Sequence, residues 1–257
     1  MSSSPALDAI LAPGGLQVAF QPIVEVRGQA RHIHSLECLI RGPRGTNMEP
    51  PAVLFEYVRR KREETALDRA CVASALKAAS GLPAEVPLSL NVHAATLERD
   101  PEFVLYLTDE AAADAIAPGR LTVEIVEHAP LWSGPAFREA LSALRDIGVG
   151  IALDDIGLGQ SNYRMMIDCK PDYFKVDGYL VRGCRADFYR MAVLESVASL
   201  ARRFGARVVA EGVEEEDDLA ALVAVGVDLF QGHVLYPPLT LEALKESGIL
   251  PRLDATA

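Results

Sequence analysis

Cysteine is scarce in this sequence and follows no pattern typical of a disulfide framework or a zinc site. The four cysteines, Cys38, Cys71, Cys169 and Cys184, form no C-x-x-C pair and no zinc-like spacing with the five histidines. A disulfide-dense secreted domain and a zinc-binding module are therefore not expected. Reduced thiols in the cytoplasm are the expected state of these residues.

A long apolar segment is also missing. No Lys or Arg precedes Arg27, and Pro13, Gly14 and Gly15 interrupt the apolar stretch near the N-terminus. A signal peptide starts with basic residues and continues into an unbroken apolar region, and a membrane-spanning helix needs roughly 20 apolar residues in succession. Neither feature is expected, and a cytoplasmic protein without a membrane span is predicted.

Positive charge is in deficit, with 25 Lys and Arg residues against 36 Asp and Glu residues and a formal net charge of -11. A surface with this balance repels the backbone of a DNA or RNA polymer, and no basic run with interleaved aromatic residues is present. A nucleic-acid polymer is therefore not an expected partner. A small phosphate ligand would need a bound cation or a few well-placed Arg and Lys residues.

Hydrophobic residues make up 50% of the chain, which is enough for a large core, and short β-branched runs alternate with segments of helical periodicity. This alternation predicts βα units around a parallel sheet. The eight strand candidates span residues 18–23, 34–40, 87–91, 121–126, 150–153, 173–176, 208–210 and 227–230. The predicted fold is α/β, a TIM-type (β/α)₈ barrel in a single domain at residues 17–250, with short tails at residues 1–16 and 251–257.

Helical periodicity predicts helices between the strands, at residues 51–61, 65–79, 103–115, 135–147, 187–204 and 215–224. The helix at 135–147 opens with a proline, which is favoured in the first helical turn, and stops before Gly148. The acidic run from Glu214 to Asp218 is expected to cap and solvate the start of the last helix, because the helix dipole favours negative charge there.

Polar side chains stand at the ends of the apolar strand runs. They are Glu37, Asn91, Glu124, Asp154, Asp155, Lys175, Glu211 and Gln231. The carboxyl ends of parallel barrel strands open onto one face, where such barrels place their active sites. Ionised carboxylates packed together repel one another, and a single lysine cannot balance five acids. Because carboxylate and amide oxygens suit hard cations, a Mg²⁺ or Mn²⁺ site is predicted at this face.

Each of these residues also has a purely structural interpretation. An Asp or Glu directly after a strand often caps the next helix. Lys175 is also explained as a counter-ion for one neighbouring acid, and Gln231 as a hydrogen-bonded amide at a strand end. The position of all the acids at the same end of successive strands favours a common site over independent caps.

The same residues lie in motifs that resemble the EAL family of cyclic di-GMP phosphodiesterases, and the resemblance extends from about Gln17 to Leu239. The matching segments, in family order, are FQPI (20–23), ECLIRG (37–42), LNVH (90–93), VEIVE (123–127), ALDDIGLG (152–159), FKVDG (174–178), VVAEGVE (208–214) and FQGHVLYPP (230–238). The resemblance implies a hydrolase, a cyclic-guanylate-specific phosphodiesterase that opens cyclic di-GMP to the linear dinucleotide pGpG.

The resemblance also implies a role for each strand-end residue. One Mg²⁺ or Mn²⁺ ion would be held by Glu37, Asn91, Glu124 and Asp154. A second ion would be held by Asp154, Asp155 and Glu211, with Asp154 bridging the two. Lys175 would orient the attacking water and is implied to be catalytic together with Glu37 and Glu211.

Further residues are implied to bind substrate or to support the site. Substrate contacts are implied for Gln21, Arg41 and Gln231, with Arg41 contacting phosphate. Asp177 would position its neighbours, and Glu127 would anchor the loop after Asp155. A homodimer is also implied, since relatives commonly pair near this loop. Control by expression and control by a regulatory protein partner are both left open.

The loop after Asp155 departs from the family pattern, because Leu158 stands where a threonine usually meets the anchoring glutamate. This departure leaves an alternative open, in which turnover is weak or absent and the chain acts as a cyclic di-GMP receptor or a protein-interaction module. From the residues alone, a Mg²⁺-dependent barrel that uses Lys175 for enolisation is a third possibility, although it does not explain the order of the motifs.

Overall fold

Eight β-strands pair edge to edge into a closed barrel in the order of the chain. The structure is a computed structural model that describes residues 5–126, 134–157 and 163–250. The strands are β1 (Gln17–Arg27), β2 (Ala30–Arg41), β3 (Leu88–His93), β4 (Leu121–Val126), β5 (Gly150–Ile156), β6 (Tyr173–Val176), β7 (Arg207–Ala210) and β8 (Leu229–Phe230). The predicted barrel and its eight strands are confirmed.

The direction of β1 differs from the prediction of a parallel sheet. β1 pairs antiparallel with both β2 and β8, whereas the successive pairs from β2 to β8 are parallel. Only Gly28 and Gln29 separate β1 from β2, and Gly28 has a φ of 61°. A connection this short can form a hairpin but cannot carry the chain back across the barrel, so the two strands must run in opposite directions.

The helices surround the barrel and connect its strands. They are α1 (Pro5–Leu11), α2 (Pro51–Lys61), α3 (Glu64–Ala79), α4 (Ala94–Arg99), α5 (Phe103–Ala113), α6 (Pro135–Asp146), α7 (Tyr163–Cys169), α8 (Gly178–Val181), α9 (Phe188–Phe204), α10 (Glu216–Ala224) and α11 (Leu241–Glu246). Among the residues that the structure describes, no helix is both long and apolar enough to cross a membrane.

Helix α1 lies within the segment that was expected to be an N-terminal tail. Its Leu7 and Ile10 are 5% and 1% exposed and belong to the main hydrophobic core. The two residues are three positions apart, so they share one face of the helix and cover the barrel together. This helix was not predicted from the sequence, because a single short apolar stripe gives little periodicity to recognise.

The seam between β7, β8 and β1 closes the barrel, and a charged cluster spans it. Strand β8 is the shortest strand, and it pairs with β1 at only two positions. The guanidinium of Arg207 on β7 donates to Glu25 Oε1 on β1 at 2.6 Å and to Asp228 Oδ2, just before β8, at 2.7 Å. Arg207 therefore connects three consecutive elements of the seam.

Replacing Arg207 with Met should lower the free energy of unfolding by about 1–2 kcal/mol, because Glu25 and Asp228 lose a shared partner. The effect is smaller than for a fully buried pair, since the Arg207 side chain is 31% exposed. Thermal unfolding at pH 7 measures it. Arg31→Met is the matched control, because Arg31 forms an exposed ion pair with Glu216 and its loss should change little.

The decrease in the free energy of unfolding that Arg207→Met causes should depend on pH. Burial acts to raise the pKa of Glu25, but hydrogen bonds from Arg27 and Arg207 outweigh burial and hold the pKa below its ordinary value of 4.5. An acid with a lowered folded-state pKa contributes stability above its unfolded pKa and loses it as the pH falls. The difference between wild type and Arg207→Met should therefore shrink below pH 4.5, and a constant difference would contradict the ion-pair explanation.

Candidate functional site

The polar residues predicted at the strand ends converge on one face of the barrel. Glu37, Asn91, Glu124 and Lys175 lie within β2, β3, β4 and β6, while Glu211 and Gln231 directly follow β7 and β8. Asn91 is opposite Glu124 in the pairing of β3 with β4. Because the parallel strands present corresponding positions at the same height, side chains far apart in sequence meet here.

Lys175 is at the centre of this group. Its Nζ lies 3.2 Å from Glu37 Oε2, 2.7 Å from Glu211 Oε1 and 3.6 Å from Asp154 Oδ1, and it also donates to Glu124 Oε2. The side chain of Lys175 is 1% exposed. An ammonium group buried this deeply requires partners of opposite charge, and these acids provide them.

Negative charge exceeds positive charge in the cluster, and the pKa values reflect the excess. Burial acts to lower the pKa of Lys175, but the four carboxylates outweigh it and hold the pKa well above its ordinary value. Burial, together with the charge of Glu37, raises the pKa of Glu124 to about 8 despite Lys175. Burial and the charge of Asp154 raise the pKa of Glu211 well above its ordinary value against the same lysine. Added positive charge would relieve this repulsion.

Glu37 differs from its neighbours because amide groups hold its carboxylate. Asn91 Nδ2 donates to Glu37 Oε1 at 2.8 Å, and Gln231 Nε2 donates to Glu37 Oε2 at 2.7 Å. Burial acts to raise the pKa of Glu37, but the charge of Lys175 and these hydrogen bonds outweigh it and lower the pKa. Glu37 therefore differs from Glu124 and Glu211, because its pKa is lowered and theirs are raised.

Gln21 reaches the site because β1 is antiparallel to β2. Gln21 is opposite Glu37 in the pairing of the two strands. Its Oε1 accepts a hydrogen bond from Gln231 Nε2 at 3.1 Å, and its Nε2 donates to the carbonyl of Tyr236 at 3.1 Å. The two glutamines thus connect the barrel seam to the cluster of acids.

A backbone irregularity places Asp154 and Asp155 together. The pairing of β5 with β6 shifts between Leu153 and Ile156, and Asp155 has a φ of 54°. Successive side chains of a regular strand point to opposite faces, so a regular β5 would separate the two carboxylates. A bulge with a left-handed residue can direct both toward the same end of the barrel, and such strain is concentrated at functional sites.

The donor set fits a hard divalent cation. One carboxylate oxygen from each of Asp154, Asp155 and Glu211 can be chosen so that all three lie within 4.8 Å of one another. These oxygens belong to the predicted ligand set of the second ion. Of the other predicted set, Glu37, Glu124 and Asp154 surround Lys175, and the Asn91 amide donates to Glu37. Oxygen ligands of this kind are those that Mg²⁺ and Mn²⁺ prefer.

Two cavities open beside the cluster. A cleft of about 400 Å³ is lined by Gln21, Glu37, Arg41, Asp154, Lys175, Arg182, Glu211, Glu214 and Gln231, among other residues. A larger cavity of about 640 Å³ extends from Glu37 and Arg41 toward α2 and α3. Arg41 lines both cavities, and its Nη1 donates to the carbonyl of Ile40 at 3.0 Å. The cluster of acids is therefore accessible to a ligand larger than water.

Some of the predicted residues lie outside the cluster of acids or outside the described part of the chain. Glu127 and positions 158–162 of the loop lie outside the described residues. Asp177 caps α8, and its Oδ1 accepts from the backbone N–H of Tyr179 at 2.6 Å.

Asp218 was expected to be a solvated acid, but it is 3% exposed and accepts from the N–H of Gly183 at 2.7 Å. That expectation was wrong because the loop before α9 folds over the start of α10 and covers Asp218.

Two further residues of the cleft, Arg182 and Glu214, were not predicted from the sequence. Arg182 follows α8, and its Nη1 donates to Glu214 Oε1 at 3.2 Å. The available signal for Glu214 was its position three residues after the strand-end acid Glu211. No periodicity or motif marked Arg182, because its approach to the cleft depends on the path of a loop.

A family model and two individual proteins match most of this chain. The family model described as EAL domain matches residues 6–238. The antirepressor BluF of Escherichia coli strain K12, described as blue light- and temperature-regulated, is 26% identical over 84% of this chain and 52% of its own length. The cyclic di-GMP phosphodiesterase PdeL of the same strain is 29% identical over 61% of this chain and 43% of its own length. The chain thus spans about half the length of these relatives.

A solved structure supports the fold and shows what a related protein binds. BlrP1 of Klebsiella pneumoniae, solved as a manganese and cyclic di-GMP complex, is 32% identical to this chain with a TM-score of 0.78. The match covers 89% of this chain and 57% of BlrP1.

Replacing Lys175 with Met keeps a side chain of similar length but removes the charge that holds the cluster together. The free energy of unfolding, measured by denaturant titration in chelator, should fall by about 3–5 kcal/mol, since four acids, of which Glu37 and Glu124 are buried, lose their cation. Mn²⁺ should recover part of the loss. Lys245→Met, on the exposed surface of α11, is the control, and equal stability of the two variants would contradict the central role of Lys175.

Proposed function

This chain belongs to the EAL domain family, and on that basis we propose that it is a metal-dependent phosphodiesterase that hydrolyses cyclic di-GMP to linear pGpG. The observation that carries the proposal is the convergence of Asp154, Asp155 and Glu211 beside Lys175 at the strand ends. Relatives named as cyclic di-GMP phosphodiesterases, and BlrP1 with bound manganese and cyclic di-GMP, support the same activity.

The proposed metal ligands are those implied by the family motifs. One Mg²⁺ or Mn²⁺ ion is assigned to Glu37, Asn91, Glu124 and Asp154, and the second to Asp154, Asp155 and Glu211. When bound, the ions supply Lewis-acid stabilisation of the charge that develops on a phosphoryl group and lower the pKa of water. The carboxylates hold these cations by charge, and the Asn91 amide contributes a neutral oxygen ligand.

Lys175 is proposed to orient the attacking water. An ammonium group has three donors and no acceptor, so it binds a water molecule through a lone pair of the oxygen. Glu37 and Glu211, at 3.2 Å and 2.7 Å from Nζ, fix the ammonium position. Arg41, Gln21 and Gln231 are assigned to the substrate, where the Arg41 guanidinium matches the geometry of a phosphate. Asp177 and Glu127 are proposed to support the loops around these residues.

A receptor is the second candidate function. The observation that favours it is the relative BluF, which is named as an antirepressor and not as a phosphodiesterase. In that case the chain would bind cyclic di-GMP without useful turnover and pass the signal to a protein partner. The completeness of the acid cluster favours the enzyme over the receptor.

Incubation of purified protein with cyclic di-GMP distinguishes the two candidates. The reaction contains Mg²⁺ or Mn²⁺, with a chelator control, and chromatography separates cyclic from linear dinucleotide. Metal-dependent pGpG is the expected product. Nucleotide that stays intact but remains bound to the protein would favour the receptor, and nucleotide that neither binds nor reacts would exclude both.

Glu37→Gln tests the assigned metal site. The substitution keeps the size of the side chain but replaces a carboxylate ligand with an amide, so kcat/KM for cyclic di-GMP should fall by about 100-fold or more. Glu37→Ala should have at least as large an effect. Glu246→Gln, an exposed residue of α11, is the matched control. Turnover of Glu37→Gln at the wild-type rate would show that the ligand assignment is wrong.

Location and assembly are part of the same proposal. The cytoplasm is the proposed compartment, supported by four buried cysteines that are all free thiols.

A homodimer is proposed, supported by the exposed aromatic rings of Phe188 and Tyr189, which are 79% and 80% exposed and stack edge to face. Light scattering coupled to size exclusion measures the assembly state. A regulatory protein partner is a further proposal, and cyclic di-GMP is the proposed small-molecule ligand.

A further inference from the structure

The balance of charge in the cleft poses a problem for the proposed substrate. A cyclic dinucleotide carries two phosphodiester anions, and only one of them can be the reacting group at the metal ligands. The other phosphate must lie in a cleft that is lined by Glu211 and Glu214 as well as by Glu37 and Asp154. Since unpaired like charges repel strongly where solvent is limited, a cationic group is needed beside the second phosphate.

Three Lys and Arg side chains line the cleft in the described parts of the chain, namely Arg41, Lys175 and Arg182. Lys175 is already assigned to the attacking water, and four carboxylates surround its Nζ. Arg41 is already assigned to substrate phosphate. Arg182 is therefore the remaining cation, and it lies on the side of the cleft formed by Glu211 and Glu214.

The backbone around Arg182 holds its guanidinium over two glycines. A Cβ atom added to Gly178 would lie 3.1 Å from Arg182 Cζ, and one added to Gly212 would lie 3.5 Å from Nη1. The buried carboxylate of Asp218 accepts from the N–H groups of Gly183 at 2.7 Å and Arg185 at 3.2 Å, which fixes the loop that carries Arg182. The absence of a side chain at Gly178 and Gly212 thus leaves room for the guanidinium of Arg182 beside the backbone of these residues.

The partner of Arg182 is easily exchanged. Arg182 pairs with Glu214 at 3.2 Å, but the two side chains are 53% and 51% exposed. An ion pair in such contact with solvent contributes little to stability. A phosphate group that accepts two hydrogen bonds from the planar guanidinium can therefore replace or share this contact at small cost.

We propose that Arg182 binds the phosphate of the cyclic dinucleotide that lies away from the metal ligands. The inference rests on the proposed function and assigns a binding residue to it. Arg182 thereby favours ligands with two phosphodiester groups over ligands with one. Its contribution is to binding, so it should be detectable in the absence of metal and turnover.

Calorimetric titration with cyclic di-GMP in chelator tests the inference directly. Arg182→Met should raise Kd by about 10- to 100-fold, as expected for the loss of hydrogen bonds to a charged group. Arg182→Lys should restore part of the affinity, because it keeps the charge but not the fork of donors. Arg185→Met is the matched control, since Arg185 is a nearby exposed arginine that pairs with Asp217 and does not line the cleft.

Hydrolysis of two substrates separates binding from a structural effect. For Arg182→Met, KM for cyclic di-GMP should rise about tenfold more than KM for bis(p-nitrophenyl) phosphate, which has a single phosphate. A variant that merely disturbed the fold would impair both substrates alike. Equal effects on the two substrates, or equal Kd values for Arg182→Met and Arg185→Met, would overturn the inference.

The outcomes also distinguish this inference from the proposed function. Wild-type protein that binds or hydrolyses cyclic di-GMP, with Arg182→Met unchanged, would overturn the role of Arg182 alone. Wild-type protein that neither binds nor hydrolyses the nucleotide would overturn the proposed function and this inference with it. Binding without turnover would support a receptor, and the Kd comparison would then decide the role of Arg182.

Discussion

The site depends on one buried charge, the ammonium group of Lys175. Four carboxylates from β2, β4, β5 and the end of β7 converge on its Nζ. Without a cation at this position, their mutual repulsion would oppose closure of the barrel at its carboxyl end. The lysine holds the acids together but leaves them with excess negative charge, as the raised pKa values of Glu124 and Glu211 indicate. The excess negative charge favours the binding of a further cation at this site.

The features that could be predicted from the sequence are those that repeat along the chain. Alternating strand and helix patterns predicted all eight strands, and strand-end acids predicted that Glu37, Glu124 and Lys175 would meet. These predictions depend on periodicity, which is a local property of the sequence, and on the general rule that the carboxyl ends of parallel barrel strands share one face.

The features that were missed depend on contacts between distant segments or on individual backbone angles. The antiparallel direction of β1 follows from how far β1 and β2 extend toward each other, and their ends were predicted too short. The bulge at Asp155 requires a left-handed backbone that no residue type marks uniquely. Asp218 is buried and Arg182 reaches the cleft because of loop paths, which have no periodicity to detect.

The scattering of the site over nearly every strand has a consequence for how the protein folds. Glu37 and Gln231 are hydrogen-bonded although 194 positions separate them in the chain. Contacts of such high sequence separation form late, because the entropy of closing a long loop must be overcome before they bring any gain. A nascent chain that has not yet added its last strand can therefore bury much of its core but cannot complete the cluster. The hydrogen bond from Gln231 to Glu37 thus completes the site only after β8 has closed the barrel.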